Sequence, residues 1–247
     1  KSINITSSLI GGADAGNYTL SGVQGLVASI TPYVINLSGT RVYNGDTVYS
    51  SANITLPTLV SNQVLTLTGS GSVADQHVGA AKSLSLGSGT GALRLLDGTG
   101  LNAGLASNYT LVGGIHTVAI TPKTLTLTNV AAASKIYDGT TTTSASAQLS
   151  GLVGSEQLNL SIGSSNFANN DANAGVGKTV TLTGVALVNG TGANAGLAAN
   201  YVLSSTTATT TADINRRALT ATGLTVNNKV YDGNTTASVS GSLSLTG

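Results

Sequence analysis

The residues able to do chemistry in this 247-residue chain are few, and their spacing is unhelpful to catalysis. His77 and His116 are the only histidines and fall at non-equivalent places, Glu156 is the only glutamate, and there is no cysteine. Acid–base work needs a titratable group held beside a partner, and metal binding needs several ligands that converge. Neither pattern is present: no His-Glu-x-x-His, no Gly-x-Ser-x-Gly with partners, and Gly87-Ser-Gly-Thr-Gly91 lacks the lysine of a phosphate loop. The expectation is a non-enzymatic protein without a cofactor.

One stretch offers alternating oxygen ligands, Asn170-Asp171-Ala-Asn173-Ala-Gly175. Asp171 and Asn173 are thus weak calcium candidates. Calcium loops gather several carboxylates and a closing glutamate, and this stretch has one carboxylate, so a turn outranks an ion. Lys135, Lys178 and Lys229 invite a Lys–Asn isopeptide link, yet a lysine at a strand edge more often guards it against pairing. Eight Asn-x-Ser/Thr sequons, at Asn4, Asn17, Asn36, Asn53, Asn108, Asn159, Asn189 and Asn234, are close to what chance gives.

Composition narrows the elements that position these residues. Only 8% of the chain is charged, ten basic residues against nine acidic, scattered singly. No basic face exists for nucleic acid, and no apolar run approaches the ~20 residues that cross a bilayer. With 40% apolar residues the chain has enough to bury, so it should fold.

Self-comparison is the strongest signal. Arg41-Val-Tyr43-Asn44-Gly45, Lys135-Ile-Tyr137-Asp138-Gly139 and Lys229-Val-Tyr231-Asp232-Gly233 recur at intervals of 94 residues. An Asn-Tyr pattern around Tyr18, Tyr109 and Tyr201 recurs at 91 and 92. The resulting expectation is two complete repeats, 33–122 and 123–216, flanked by the C-terminal part of one (1–32) and the N-terminal part of another (217–247). The window is expected to be internal to a longer chain. A period near 94 suits a bead of independent-domain size, and a β-helix of stacked coils ranks second.

Alternating apolar and hydroxyl residues mark half-buried strands at 64–68, 124–128, 158–162, 180–183 and 219–222. Asn44-Gly45, Asp138-Gly139 and Asp232-Gly233 read as tight hairpin turns in which Asn and Asp are interchangeable. The recurring tyrosines should pack inside each bead with their hydroxyls bonded to loop backbone. The fold expected is all-β: tandem immunoglobulin-like antiparallel β-sandwiches of about 94 residues.

Lys135-Ile-Tyr-Asp-Gly-Thr-Thr141, Asn170 to Val180, Asn200-Tyr-Val-Leu203 and Ala212-Asp-Ile214 together resemble the YDG repeat domain. That family and the related mostly-bacterial immunoglobulin-like group occur in tandem in large haemagglutinin-like adhesins, often exported by two-partner secretion. The resemblance implies an extracellular, bacterial cell-surface location and a shaft role in an adhesin or biofilm-matrix fibre. The partners expected are neighbouring repeats of the same chain; the alternative is repeats that themselves bind host or matrix glycan or protein, or that self-associate with other copies into a filament by strand exchange. The repeat at 33–122 departs from the pattern, with Asn44 for Asp and Asp75-Gln-His77 where the next copy has Asp171-Ala-Asn173.

Overall fold

The computed structural model describes residues 2–4, 11–19 and 27–247, so Leu20 of the first Asn-Tyr pattern and Thr6 of the Asn4 sequon lie outside the described residues. The fold is all-β, and among the described residues helical structure is limited to three-residue 3₁₀ turns. Two compact units divide the chain, Lys1–Pro122 and Lys123–Gly247.

In the first unit the strands are β1 (Ser2–Asn4), β2 (Val27–Ser29), β3 (Tyr33–Val34), β4 (Ser38–Val42), β5 (Val48–Ser50), β6 (Ile54–Thr55), β7 (Thr66–Thr68), β8 (Ser70–Ser72), β9 (Gly79–Ser83), β10 (Arg94–Leu96), β11 (Tyr109–Thr110) and β12 (Thr117–Thr121). Its largest sheet has the order β6-β4-β12-β9. In the second they are β13 (Lys123–Ala132), β14 (Lys135–Ile136), β15 (Ala145–Ser150), β16 (Asn159–Ser161), β17 (Ser164–Phe167), β18 (Gly175–Thr183), β19 (Ala186–Val188), β20 (Tyr201–Leu203) and β21 (Ala208–Asn215). The hairpins β22 (Thr220–Thr222) with β25 (Ser244–Thr246) and β23 (Thr225–Val226) with β24 (Val239–Ser240) follow. Here the sheets run β14-β21-β18-β17 and β15-β13-β20.

The expected sandwiches are antiparallel throughout, and the structure differs. Strand β4 pairs parallel with β12, and β14 parallel with β21; β3 with β11 and β13 with β20 are also parallel. The physical reason is the path: the first strands of each repeat are joined by the whole bead to the last, which run alongside them in the same direction. Adjacent strands far apart in sequence, many of them antiparallel, also replace the stacked sequential rungs that a β-helix would have.

The alternation sorts residues as the pleat requires. In β18 Val180 and Leu182 are fully buried while Thr179 and Thr183 face solvent, and in β13 Leu125 is buried between exposed Thr124 and Thr126. Phe167, Val180, Leu182, Val185, Ala212 and Ile214 form the core of the second unit, with Leu127, Val130, Ala145 and Leu160 packed against it. Two layers of sheet therefore share one core.

Both repeats are built on one register. Arg41 sits opposite Ile120 and Lys135 opposite Ile214 in the parallel pair; Gly79 and Gly175 flank the same isoleucines on the other side. A close approach recurs as well. A Cβ at Gly98 would lie 1.7 Å from the Val64 carbonyl oxygen, and one at Gly190 would lie 1.8 Å from that of Gln157. Gly190→Ala should therefore cost the second unit about 3 kcal/mol, where backbone rather than a side chain must move. Urea unfolding of this variant against wild type measures it, and a change within error would refute the close approach.

Candidate functional site

The Tyr-Asx-Gly segment is a corner rather than a hairpin. Strands β4 and β14 on its N-terminal side bond to β12 and β21, whereas the chain after it, at β5 and at 141–143, bonds to β8 and β17. Gly45, Gly139 and Gly233 have φ of 77°, 77° and 82°, but the preceding Asx residues are not in the left-handed region. A two-residue type I′ hairpin would need both. The Asx instead caps the corner with its side chain: Asn44 Oδ1 accepts the Asp46 N–H at 3.1 Å, Asp138 Oδ1 the Thr140 N–H at 2.9 Å, and Asp232 Oδ1 the Asn234 N–H at 3.2 Å.

A cation then closes the corner from beneath. Lys135 Nζ lies 2.7 Å from Asp138 Oδ1 and donates to the carbonyls of Thr140 (2.9 Å) and Thr142 (3.0 Å). Lys229 pairs with Asp232 at 2.6 Å and donates to Asn234 Oδ1. In the first repeat Arg41 donates from Nη2 to the Asp46 carbonyl, which stands where Thr140 does. Its partner is aromatic: Arg41 is 8% exposed, its guanidinium 4.8 Å from the centre of the Tyr49 ring. Burial raises the Tyr49 hydroxyl above its ordinary value, an effect the Arg41 charge partly offsets, and that hydroxyl donates to the Ala119 carbonyl. The swap of Lys–Asp for Arg–Asn is thus coupled to a tyrosine at 49 where the second repeat has Thr143.

The calcium candidates lie in a second clamp. Lys178 Nζ is 2.7 Å from Asp171 Oδ2 and donates to the Asn173 carbonyl at 2.6 Å, while Asp171 Oδ1 accepts the Asn173 N–H. An ammonium thus occupies the oxygens a calcium ion would use. The first repeat repeats the arrangement, with Lys82 2.7 Å from Asp75 Oδ1, which also accepts the His77 N–H. Among the described residues no three His, Asp or Glu side chains converge as a metal site.

Residues 121–210 match the model of the YDG domain. They include the Lys135–Asp138 corner, the Lys178–Asp171 clamp and the buried tyrosine at 201. No curated protein and no solved structure matches the chain.

Within the YDG domain the tyrosines part company. Tyr201 is buried and its hydroxyl donates to Glu156 Oε2 at 2.7 Å while accepting the Val153 N–H at 3.1 Å; Tyr137 is 41% exposed. In the preceding repeat Tyr109 is buried and donates to Gln63 Oε1 at 2.8 Å, and Tyr43 is buried. Tyr18 (69%) and Tyr231 (92%) are exposed. Glu156, non-recurrent as a residue type, therefore recurs as a position, Gln63 standing 93 residues before it. Residue type hides this equivalence in the sequence, because Gln and Glu share an acceptor oxygen but not a charge; the alignment of Leu59 with Leu152 and Val60 with Val153 carries the signal. His116 proves to be a bracket: Nδ1 accepts the Leu37 N–H at 3.1 Å and Nε2 donates to the Leu111 carbonyl at 2.9 Å.

Two outcomes follow for the YDG domain. Lys135 first, then the Thr140 N–H and hydroxyl, lower the Asp138 carboxyl to about 2. Unfolded, it titrates near ~3.9. Ionised Asp138 therefore stabilises the fold above about pH 4, and the contribution is lost as pH falls through about 2. Asp138→Asn should keep the corner, as Asn44 does, and flatten that part of the acid dependence of the urea midpoint; an unaltered pH profile counts against the clamp.

The tyrosine latch predicts an asymmetry. Glu156→Gln should change stability by less than about 0.5 kcal/mol, and Tyr201→Phe should lower it by about 1 kcal/mol. Thermal and urea unfolding of the pair separate an acceptor from an acid.

Proposed function

We propose that this chain is a run of structural shaft repeats from a long extracellular bacterial adhesin or biofilm-matrix fibre, holding a distal binding region away from the cell. The observation that carries the reading is the duplicated register: Arg41 opposite Ile120 and Lys135 opposite Ile214, each closing one bead. Fibre length then comes from copy number, and each bead needs only to stay shut under load.

The recurrent polar residues support this reading. Asp or Asn caps the corner, Glu or Gln receives the tyrosine, and Asp97 Oδ1 and Asn189 Oδ1 accept the N–H groups of Ala106 and Ala198 in the same way, at 2.7 and 2.8 Å. What is kept between copies is an acceptor oxygen. Acid–base chemistry would require the charge to be kept too. The immunoglobulin-like comparison, export by a bacterial two-partner system and a surface location belong to the same proposal and rest on the YDG match at 121–210.

Single-molecule stretching of the chain tests it. Each complete bead should give one discrete unfolding event, releasing about 300 Å of contour for ~94 residues at ~3.4 Å each. Featureless extension without discrete events would overturn the shaft reading, and strong glycan-array binding by the same chain would favour the recognition alternative.

A further inference from the structure

The second unit contains a groove of about 710 Å³ between β15 and β16, lined by Ala147, Gln148 and Leu149 on one wall and Leu158, Asn159 and Leu160 on the other. These strands are consecutive in the chain yet not bonded to each other. β15 is an outer strand of β15-β13-β20, and β16 is bonded to β19 alone. Each therefore turns one row of backbone N–H and C=O groups towards the groove.

Such an edge is normally guarded by proline, by charge or by brevity. The first repeat guards it: Pro57 occupies the place of Ser150, 93 residues on, and the segment before it is a 3₁₀ turn at Ser51–Asn53 followed by the two-residue β6. The second repeat has removed every guard. β15 is six residues long, Ala-Ser-Ala-Gln-Leu-Ser, and Glu156, bonded to Tyr201, is the sole charged residue between Asp138 and Asp171.

The edge is also self-complementary. Antiparallel partners directly opposite share a face, so a two-fold axis at Gln148 pairs Ser146 with Ser150 on the exposed face. On the core face it pairs Ala147 with Leu149, small against large. No charge opposes its own symmetry mate, and the six residues supply about 20 Å of edge at ~3.3 Å per residue. We infer that β15 pairs antiparallel with β15 of a second copy of this chain, each lying in the other's groove, so that copies associate side by side. This inference stands apart from the shaft reading: a chain with another role would present the same edge.

Sedimentation equilibrium of the whole chain from micromolar to millimolar concentration is the test, with Gln148→Lys and Gln148→Glu as variants. Gln148 is exposed, so neither change disturbs the core. Wild type should dimerise, each variant alone should dimerise at least tenfold more weakly, and an equimolar mixture of the two should recover the dimer. Thr55→Lys, at the matching place on the guarded edge, should leave association unchanged. Wild type that stays monomeric throughout overturns the inference, as does a dimer indifferent to Gln148→Lys or a mixture that gives no recovery. Far-UV circular dichroism of each variant confirms that folding is intact.

Discussion

Everything in each bead depends on a parallel clasp between its first and last thirds. β4 lies in register with β12, and β14 with β21, across about eighty residues of intervening chain. Closing so long a loop costs entropy before any contact is made, and parallel pairs are slightly weaker per residue than antiparallel ones. The clasp must therefore be reinforced. The isoleucines at 120 and 214 do this from the core side, and the cation one strand over does it from the turn side, tying the chain that leaves the clasp to the carbonyls that follow.

The cation explains why the corner carries so distinctive a motif. The glycine supplies a positive φ and the Asx side chain takes the orphan N–H, leaving the corner's own carbonyls in need of donors. A lysine with three donors meets two carbonyls and the Asx carboxylate together. An arginine can cover only part of that set from its forked geometry, and in the first repeat its Nε and Nη1 atoms are buried without a hydrogen-bond partner. Stacking on Tyr49 compensates electrostatically. The two solutions are physically distinct answers to one accounting problem.

Much of this could be read from the chain alone, and the parts that could not share a cause. The alternation in 124–128 and 180–183 placed strands and their buried faces, because period 2 reports directly on the pleat. Recurrence of Tyr-Asx-Gly placed the corners. The hairpin expectation failed because Asp-Gly fixes local backbone but says nothing about which strands its flanks will join, and here they join different strands, β21 on one side and β17 on the other. The parallel pairs were invisible for the same reason: register between residues 79 apart leaves no local trace. Tyr137, expected inside, is half exposed while Tyr43 at the same place is buried, so equivalent residues do not guarantee equivalent surroundings.

The Asp/Asn and Glu/Gln exchanges bear on how such a chain can be so poor in charge. A site that needs an acceptor oxygen tolerates the amide, and each amide spares a charge that low-charge surroundings would have to pair. Four ion pairs close clamps of this kind: Lys82 with Asp75, Lys135 with Asp138, Lys178 with Asp171, and Lys229 with Asp232. Each clamp is spent on a turn, which leaves few charges to repel an approaching strand. A surface rich in hydroxyls and amides therefore relies on proline and strand length to guard its edges, and the six-residue, proline-free β15 has neither guard.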